Sequence, residues 1–189
     1  TNKLRLHFVE KRLLIKIDEL ANEFKDEVSD KDKARAIYTW LGKTTHYSNI
    51  MTRKSGTAWS ALLSDDSVCA GFAAASQLLF QRLGIDSELI VGNYDGMSHA
   101  WNFVKLDDGY YWYDSTVAGG VSSDSAYFYN GLFFGNISQY TPLVINVNEY
   151  QFDEMFAVKD GYAIAKNHTN TYLINSKTKA VSPLNNSTV

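Results

Sequence analysis

The chain has 189 residues, of which 45% are hydrophobic and 21% are charged, and its formal net charge is −3. These values are typical of one globular domain with a core of its own, and the weakly acidic balance argues against a nucleic-acid-binding protein. No apolar run reaches the length of a membrane span, and a single cysteine excludes an internal disulfide.

The N-terminal part has the apolar periodicity of helices. Residues 1–9 are mixed and fit a strand or an arm, whereas residues 10–28 carry apolar side chains at helical spacing. Asp30 is a candidate cap for a second helix, which Gly42 would end. Residues 44–49 are predicted to be a loop or a short turn.

Two further helices are predicted around the only cysteine, Cys69. Residues 57–63 favour a short helix, and residues 64–67 form a turn with several side chains able to cap the next helix. That helix spans about residues 68–83, with Cys69 in its first turn and Gly84 suited to its C-terminal end. Small residues near its start would let a sheet approach closely.

After this helix the pattern changes to that of strands. Residues 88–92, 99–104 and 110–114 predict an antiparallel meander, with a turn at 107–109. Residues 117–126 are small and polar and are predicted to be a loop. The following predictions complete the chain: an aromatic, partly buried segment at 127–135, strands at 156–158, 162–164 and 171–174, a type I′ turn at 160–161, and a frayed end at 182–189.

Three residue types with complementary chemistry lie at the ends of these elements. A thiolate is stabilised by a helix N-terminus and by a neighbouring protonated histidine, so Cys69 in a first helical turn is a candidate nucleophile. His99 begins one predicted strand and Asp114 ends the next. In a hairpin closed at 107–109, positions near 101 and 114 are roughly opposite, so the two side chains can meet.

Each of these residues also has a structural interpretation. A lone cysteine is more often a small buried apolar residue than a nucleophile. Taken singly, His99 fits a half-buried structural histidine and Asp114 fits a residue that caps a strand end. The order Cys, His, Asp at three element ends favours the catalytic interpretation.

Four segments together carry a resemblance to a known family. Residues 68–73 (VCAGFA), 98–104 (SHAWNFV) and 111–116 (YWYDST) resemble the transglutaminase-like superfamily, and residues 32–41 (DKARAIYTWL, followed by His46-Tyr47) resemble the upstream helix of its kyphoscoliosis-peptidase group. The similarity is greatest to bacterial members like the kyphoscoliosis-peptidase group. It implies an α+β, papain-like core in which a nucleophile helix packs on an antiparallel sheet, preceded by N-terminal helices. Residues 1–150 would form the catalytic domain, and residues 151–189 a β-rich extension packed on it.

The resemblance also assigns roles to individual residues. Cys69 would be the nucleophile, His99 the general base and acid, and Asp114 the carboxylate that orients the imidazole.

Other positions around this triad are candidates for binding roles. The oxyanion hole would combine the backbone N–H of Cys69 with a second donor, for which Tyr47 and Trp59 are the candidates. Ser98 and Trp101 are candidates for lining the substrate cleft.

The implied chemistry is acyl transfer on a protein or peptide amide through a thioester. Resolution by water would make a peptidase or amidase, which is the favoured function. Resolution by a lysine amine would make a protein-glutamine gamma-glutamyltransferase, and a non-catalytic interaction module of the same fold is a third alternative. No cofactor or metal is expected, because the four histidines are scattered without ligand spacing.

The cellular setting is predicted only broadly. A chain that starts at Thr1 without a leader is interpreted as a processed or excised fragment. The resemblance to bacterial members favours an extracellular or cell-surface location, with the cytoplasm left open. The oligomeric state is not predicted.

Overall fold

The structure of the chain is a computed structural model. It describes residues 2–94, 96–107, 109–120, 140–142, 145–147, 150–152, 154–159, 162–167, 170–175 and 180–184. The predicted aromatic segment 127–135 and the predicted turn at 160–161 lie outside these residues, as does residue 185 onward of the predicted frayed end.

The helices of the described residues lie mainly in the N-terminal half. They are α1 (Asn2–Phe24), α2 (Asp30–Thr44), α3 (Ala58–Leu63), α4 (Cys69–Arg82) and α5 (Thr116–Gly120).

The strands are short at first and dominate the C-terminal half. They are β1 (His46–Tyr47), β2 (Asp66–Ser67), β3 (Ser87–Tyr94), β4 (Met97–Leu106), β5 (Gly109–Tyr113), β6 (Tyr140–Pro142), β7 (Ile145–Val147), β8 (Tyr150–Phe152), β9 (Glu154–Lys159), β10 (Tyr162–Asn167), β11 (Asn170–Asn175) and β12 (Val181–Leu184).

Two four-stranded antiparallel sheets organise these strands, in the orders β5-β4-β3-β6 and β12-β11-β10-β9. β1 and β2 form a short parallel pair, and β7 pairs with β8. The predicted meander of β3, β4 and β5 is therefore confirmed, and so are the strands predicted at 156–158, 162–164 and 171–174. The mixed helices and antiparallel sheets make this an α+β fold, as predicted.

The structure corrects the predictions for α1 and α2. Residues 2–9 are helical, so the predicted strand or arm is wrong. Ser29, rather than Asp30, caps α2, because its side chain accepts a hydrogen bond from the N–H of Asp32. Gly42 lies inside α2 rather than at its end. Its lack of a side chain permits a close approach to α5, since a Cβ there would lie 2.9 Å from Ala118 Cβ.

Three further elements differ from the predictions. β1 lies within the predicted loop 44–49, and α5 occupies the first residues of the predicted loop 117–126. β12 extends to Leu184, so the start of the predicted frayed end is a strand. These elements are too short for periodicity to reveal them.

The core lies between α4 and the sheet of β3, β4 and β5. Phe72, Leu79 and Phe80 of α4 are fully buried, each contributing about 1.5–3 kcal/mol. The hydroxyl of Tyr113 in β5 donates to the carbonyl of Ala34 in α2 over 3.1 Å, which fixes α2 to the same sheet.

The C-terminal sheet contributes to this core as well. Ala165 of β10 and Ile174 of β11 belong to the same buried cluster as Trp101 of β4. The division of the chain at residue 150 stays a prediction. Within the described residues, none of the helices is long and apolar enough to cross a membrane.

Candidate active site

The register of β4 and β5 leaves room for the site. β5 ends at Tyr113, opposite Asn102, so within the described part of the chain residues 97–101 of β4 have no partner strand on that side. The first turn of α4 occupies this position, where Cys69 and Ala73 pack against Ala100. The backbone N–H of Ala100 donates to the thiol of Cys69. The thiol therefore lies beside the strand that carries His99.

The start of α4 differs from the expected capped helix. Val68 is the N-cap residue and makes no side-chain capping bond. The backbone N–H of Ala70 in the first helical turn donates to the Cys69 thiol instead, and the N–H of Cys69 donates to the hydroxyl of Tyr47. Together with the helix dipole, these N–H groups favour a negative charge on the sulfur.

Buried hydroxyl groups hold this helix start in place. The carbonyl of Ser55 accepts hydrogen bonds from Val68 N at 2.9 Å and from the hydroxyls of Ser60 and Ser67 at 2.8 Å each. The same two hydroxyls lie 2.7 Å apart. Because buried polar groups are costly to leave unpaired, this network fixes the backbone that leads into Cys69.

His99 and Asp114 are brought together across the hairpin. Nε2 of His99 lies 2.7 Å from Oδ2 of Asp114, and the two side chains are only 12% and 3% exposed. The second carboxylate oxygen of Asp114 accepts from the N–H of Thr116 at 3.0 Å. The hydroxyl of Ser115 lies 2.9 Å from that of Ser76 and ties this segment to α4. Because Nε2 faces Asp114, Nδ1 is the ring nitrogen that remains for the hydrogen bond between His99 and Cys69.

The electrostatics couple Cys69 to His99. Burial by itself would raise the pKa of the Cys69 thiol, but the hydrogen bond and positive charge of His99 lower that pKa below its usual range. Burial by itself would lower the pKa of His99, but the hydrogen bond to Asp114, followed by that to Cys69, raises it to about 9. The arrangement therefore favours a thiolate beside an imidazolium.

Aromatic rings flank the imidazole. The ring centroid of Trp101 lies 6.1 Å from that of His99 at an interplanar angle of 20°, and that of Tyr94 lies 5.5 Å away at 44°. Trp101 is fully buried and also makes an edge contact with Trp112. The prediction that Trp101 lines the substrate cleft is therefore wrong, because its indole lies in the core behind His99.

The two oxyanion-hole candidates lie in different places. Tyr47 is 39% exposed, and its ring stacks on Phe72 of α4 at 6.5 Å between centroids. Its hydroxyl contacts both the side chain and the N–H of Cys69. Trp59 lies on α3 with the Arg12 guanidinium 5.2 Å from its ring centroid, at the contact between α1 and α3. The described interactions bring Tyr47, and not Trp59, to Cys69.

Comparison with known protein families identifies the superfamily of this chain. The family model of the Transglutaminase-like superfamily matches residues 18–115. The chain belongs to the transglutaminase-like superfamily. This match includes α2, α4, the meander and all of Cys69, His99 and Asp114. Comparison with curated protein sequences finds no match.

Two solved structures share the fold of this transglutaminase-like chain. A crystal structure of a TGase has a TM-score of 0.50 and 20% sequence identity, over 61% of this chain and 33% of that one. A proposed cysteine protease from Cytophaga hutchinsonii has a TM-score of 0.53 and 14% identity, over 92% of this chain and 52% of that one. The chain thus spans about a third and about half of these proteins, and the likeness concerns the fold.

Some residues of the transglutaminase-like site were not foreseen from the sequence. Tyr94 is one of them, although a signal was present: Asp-Gly at 95–96 is typical of a two-residue hairpin. The pairing of β3 with β4 places Gly92 opposite His99, which makes Tyr94 the diagonal neighbour of His99 on the same face. The N–H of Ala100 had no such signal.

The remaining predictions concern Ser98 and metal binding. Ser98 is exposed and lies opposite Asn93 near the β3–β4 hairpin, so its cleft role stays a prediction. Among the residues that the structure describes, no three His, Cys, Asp or Glu side chains are grouped so that they could hold a metal ion.

Proposed function

We propose that this chain catalyses cysteine-dependent acyl transfer on protein or peptide amides, with water as the final acceptor. The observation that carries the proposal is the alignment of Cys69, His99 and Asp114, with a 2.7 Å contact between the imidazole and a nearly buried carboxylate. The two protonation states required of a nucleophile and a general acid are those that the site favours.

The reaction would proceed in two halves. The Cys69 thiolate attacks the amide carbonyl carbon, and the carbonyl electron pair moves onto oxygen. When that pair returns, the C–N bond breaks, and the His99 imidazolium gives its proton to the leaving amine. The neutral imidazole then takes a proton from water as the water attacks the thioester. The C–S bond breaks, which releases the carboxylic acid and restores the Cys69 thiolate beside the His99 imidazolium. Asp114 keeps Nε2 of His99 engaged throughout.

The oxyanion would be stabilised by the N–H of Cys69 and the hydroxyl of Tyr47. Both groups already meet at the start of α4. Burial, together with the nearby charge of Cys69, raises the pKa of Tyr47, so its hydroxyl keeps the proton that it must donate. Trp59 has no part in this proposal, because its ring packs against Arg12.

Hydrolysis is proposed rather than transfer to an amine because the segments in residues 32–47 resemble those of the peptidase group. Transfer to a lysine amine would use the same residues and would differ in the acceptor that reaches the thioester. A non-catalytic interaction module is disfavoured because Cys69, His99 and Asp114 are all retained and make mutual contacts.

A product screen separates these functions. We expect a peptide and protein mixture incubated with the wild-type chain to gain new α-amino termini, and the same mixture incubated with Cys69→Ser to gain none. Mass spectrometry would quantify both new termini and ε-lysyl isopeptides. Isopeptides without new termini would identify a transferase. The absence of both products would overturn the acyl-transfer proposal and favour the interaction module.

A further inference from the structure

The imidazole of His99 lies between two aromatic rings along the sheet. Tyr94 is opposite Met97, two residues before His99 on β4, and Trp101 is two residues after it. Because alternate residues of a strand share a face, all three rings project from the same side of the sheet. Their centroid distances of 5.5 and 6.1 Å to His99 correspond to direct ring contact. Trp101 is wholly buried, whereas Tyr94 is half-buried and is the more exposed of the two rings that flank His99.

The position of the imidazole between two rings meets a geometric requirement of the site. His99 must present Nε2 to Asp114 and Nδ1 to Cys69 at the same time. A half-turn of the ring about its Cβ–Cγ bond would exchange the two sides of the ring and break both contacts. The hydrogen bonds to Asp114 and Cys69 restrain two ring atoms, and rings that flank the imidazole add a restraint on its plane.

The aromatic rings also affect the charge state of the imidazole. The face of an aromatic ring attracts a cation within about 6 Å of its centroid, and it covers the imidazole without offering a competing hydrogen bond. The polar groups facing His99 come from each element packed around it: Cys69 from α4, Asp114 after β5, Tyr94 from β3, and Tyr47 from β1 beside Cys69. Of these four residues, Tyr94 is the one that lies outside the segments that carry the family resemblance.

We propose that Tyr94 is a positioning residue for the acyl transfer, which holds the His99 imidazole against Trp101 in the orientation that serves both Asp114 and Cys69, and which favours its protonated form. The inference rests on the function proposed above. The ring of Tyr94, and not its hydroxyl, performs this role.

The test compares Tyr94→Leu with Tyr94→Phe by the pH profile of Cys69 alkylation with iodoacetamide. Tyr94→Leu removes the aromatic face, so the imidazolium is held less firmly beside Cys69 and stabilises the thiolate less. We expect the acidic limb of the profile to move up by about half a pH unit, which lowers the rate on that limb about threefold. Tyr94→Phe keeps the ring, and its profile should match that of the wild type. Leu89→Ala, at an exposed position of the same strand, is the control for general effects on β3 and should also match.

The outcomes separate the inference from the function on which it rests. An unchanged profile in Tyr94→Leu, or an equal shift in Tyr94→Phe, would overturn the positioning role while leaving the proposed function intact. An ordinary thiol profile in the wild-type chain would instead contradict the proposed function. If Tyr94→Leu does not fold, as judged by its thermal transition, Tyr94→Met provides a flexible, non-aromatic replacement and the same expected shift.

Discussion

Replacement of His99 by glutamine is expected to lower the rate of Cys69 alkylation at pH 6 by at least about tenfold and the rate of peptide turnover by about 10²–10⁴-fold. Glutamine has a similar reach but carries no positive charge, so it cannot lower the pKa of the Cys69 thiol as His99 does. An ordinary thiol with a pKa of about 8.5 is only about 0.3% ionised at pH 6. Turnover falls further because the leaving amine loses its proton donor.

A matched variant tests whether the effect belongs to His99. His46 in β1 is exposed and lies outside the proposed machinery, so His46→Gln should alkylate and turn over at the wild-type rates. Alkylation is followed by mass spectrometry of the intact protein, in which Cys69 is the only thiol. Equal rates in His99→Gln and His46→Gln would contradict the pairing of His99 with Cys69.

Gly71→Ala is expected to destabilise the fold strongly, although helix propensity alone predicts the opposite sign. In an unconstrained helix the change to alanine would stabilise by about 1 kcal/mol. At position 71, however, an added Cβ would collide with the Ser67 hydroxyl and would lie only 2.8 Å from the Thr57 carbonyl oxygen and 2.9 Å from that of Ser55. Two of these obstacles are backbone atoms that cannot rotate away.

We therefore expect the free energy of unfolding of Gly71→Ala to fall by about 2 kcal/mol or more, measured by urea denaturation. For a chain of this size, that corresponds to a fall in Tm of about 4–8 °C. Gly56→Ala is the matched control, since its added Cβ would come no closer than 3.6 Å to Ala70 Cβ, an ordinary contact. Wild-type stability in Gly71→Ala would show that the network of Ser55, Ser60 and Ser67 is not rigid.

The elements that carry the chemistry can be predicted from the sequence because their signals are local. Cys69 follows a turn and opens a long apolar helix, and the turn signal at 107–109 predicts the hairpin in which the pairing of β4 with β5 brings Asp114 near His99. The orientation of side chains is harder to predict. Trp101 lies in a strand that is buried on both faces, so alternation does not distinguish a cleft position from a core position.

The short elements and the close approaches depend on contacts between distant segments. β1 exists because residues 46–47 pair with residues 66–67, and this pairing places Tyr47 opposite a residue only two positions before Cys69. Glycine is common at helix ends, which is why the sequence predicts that Gly42 ends α2, whereas its actual role is the approach of α2 to α5. Neither contact leaves a pattern in the local sequence.

The most direct test of the central claim is the pH dependence of Cys69 alkylation by iodoacetamide in the wild-type chain. The lowered pKa of the thiol and the raised pKa of His99, about 9, predict a thiolate–imidazolium pair over the range between them. Cys69 should therefore react at pH 6 clearly faster than a free-cysteine model compound. A rate at pH 6 no faster than that of the model compound would contradict the account, because Cys69 would then be an ordinary buried thiol.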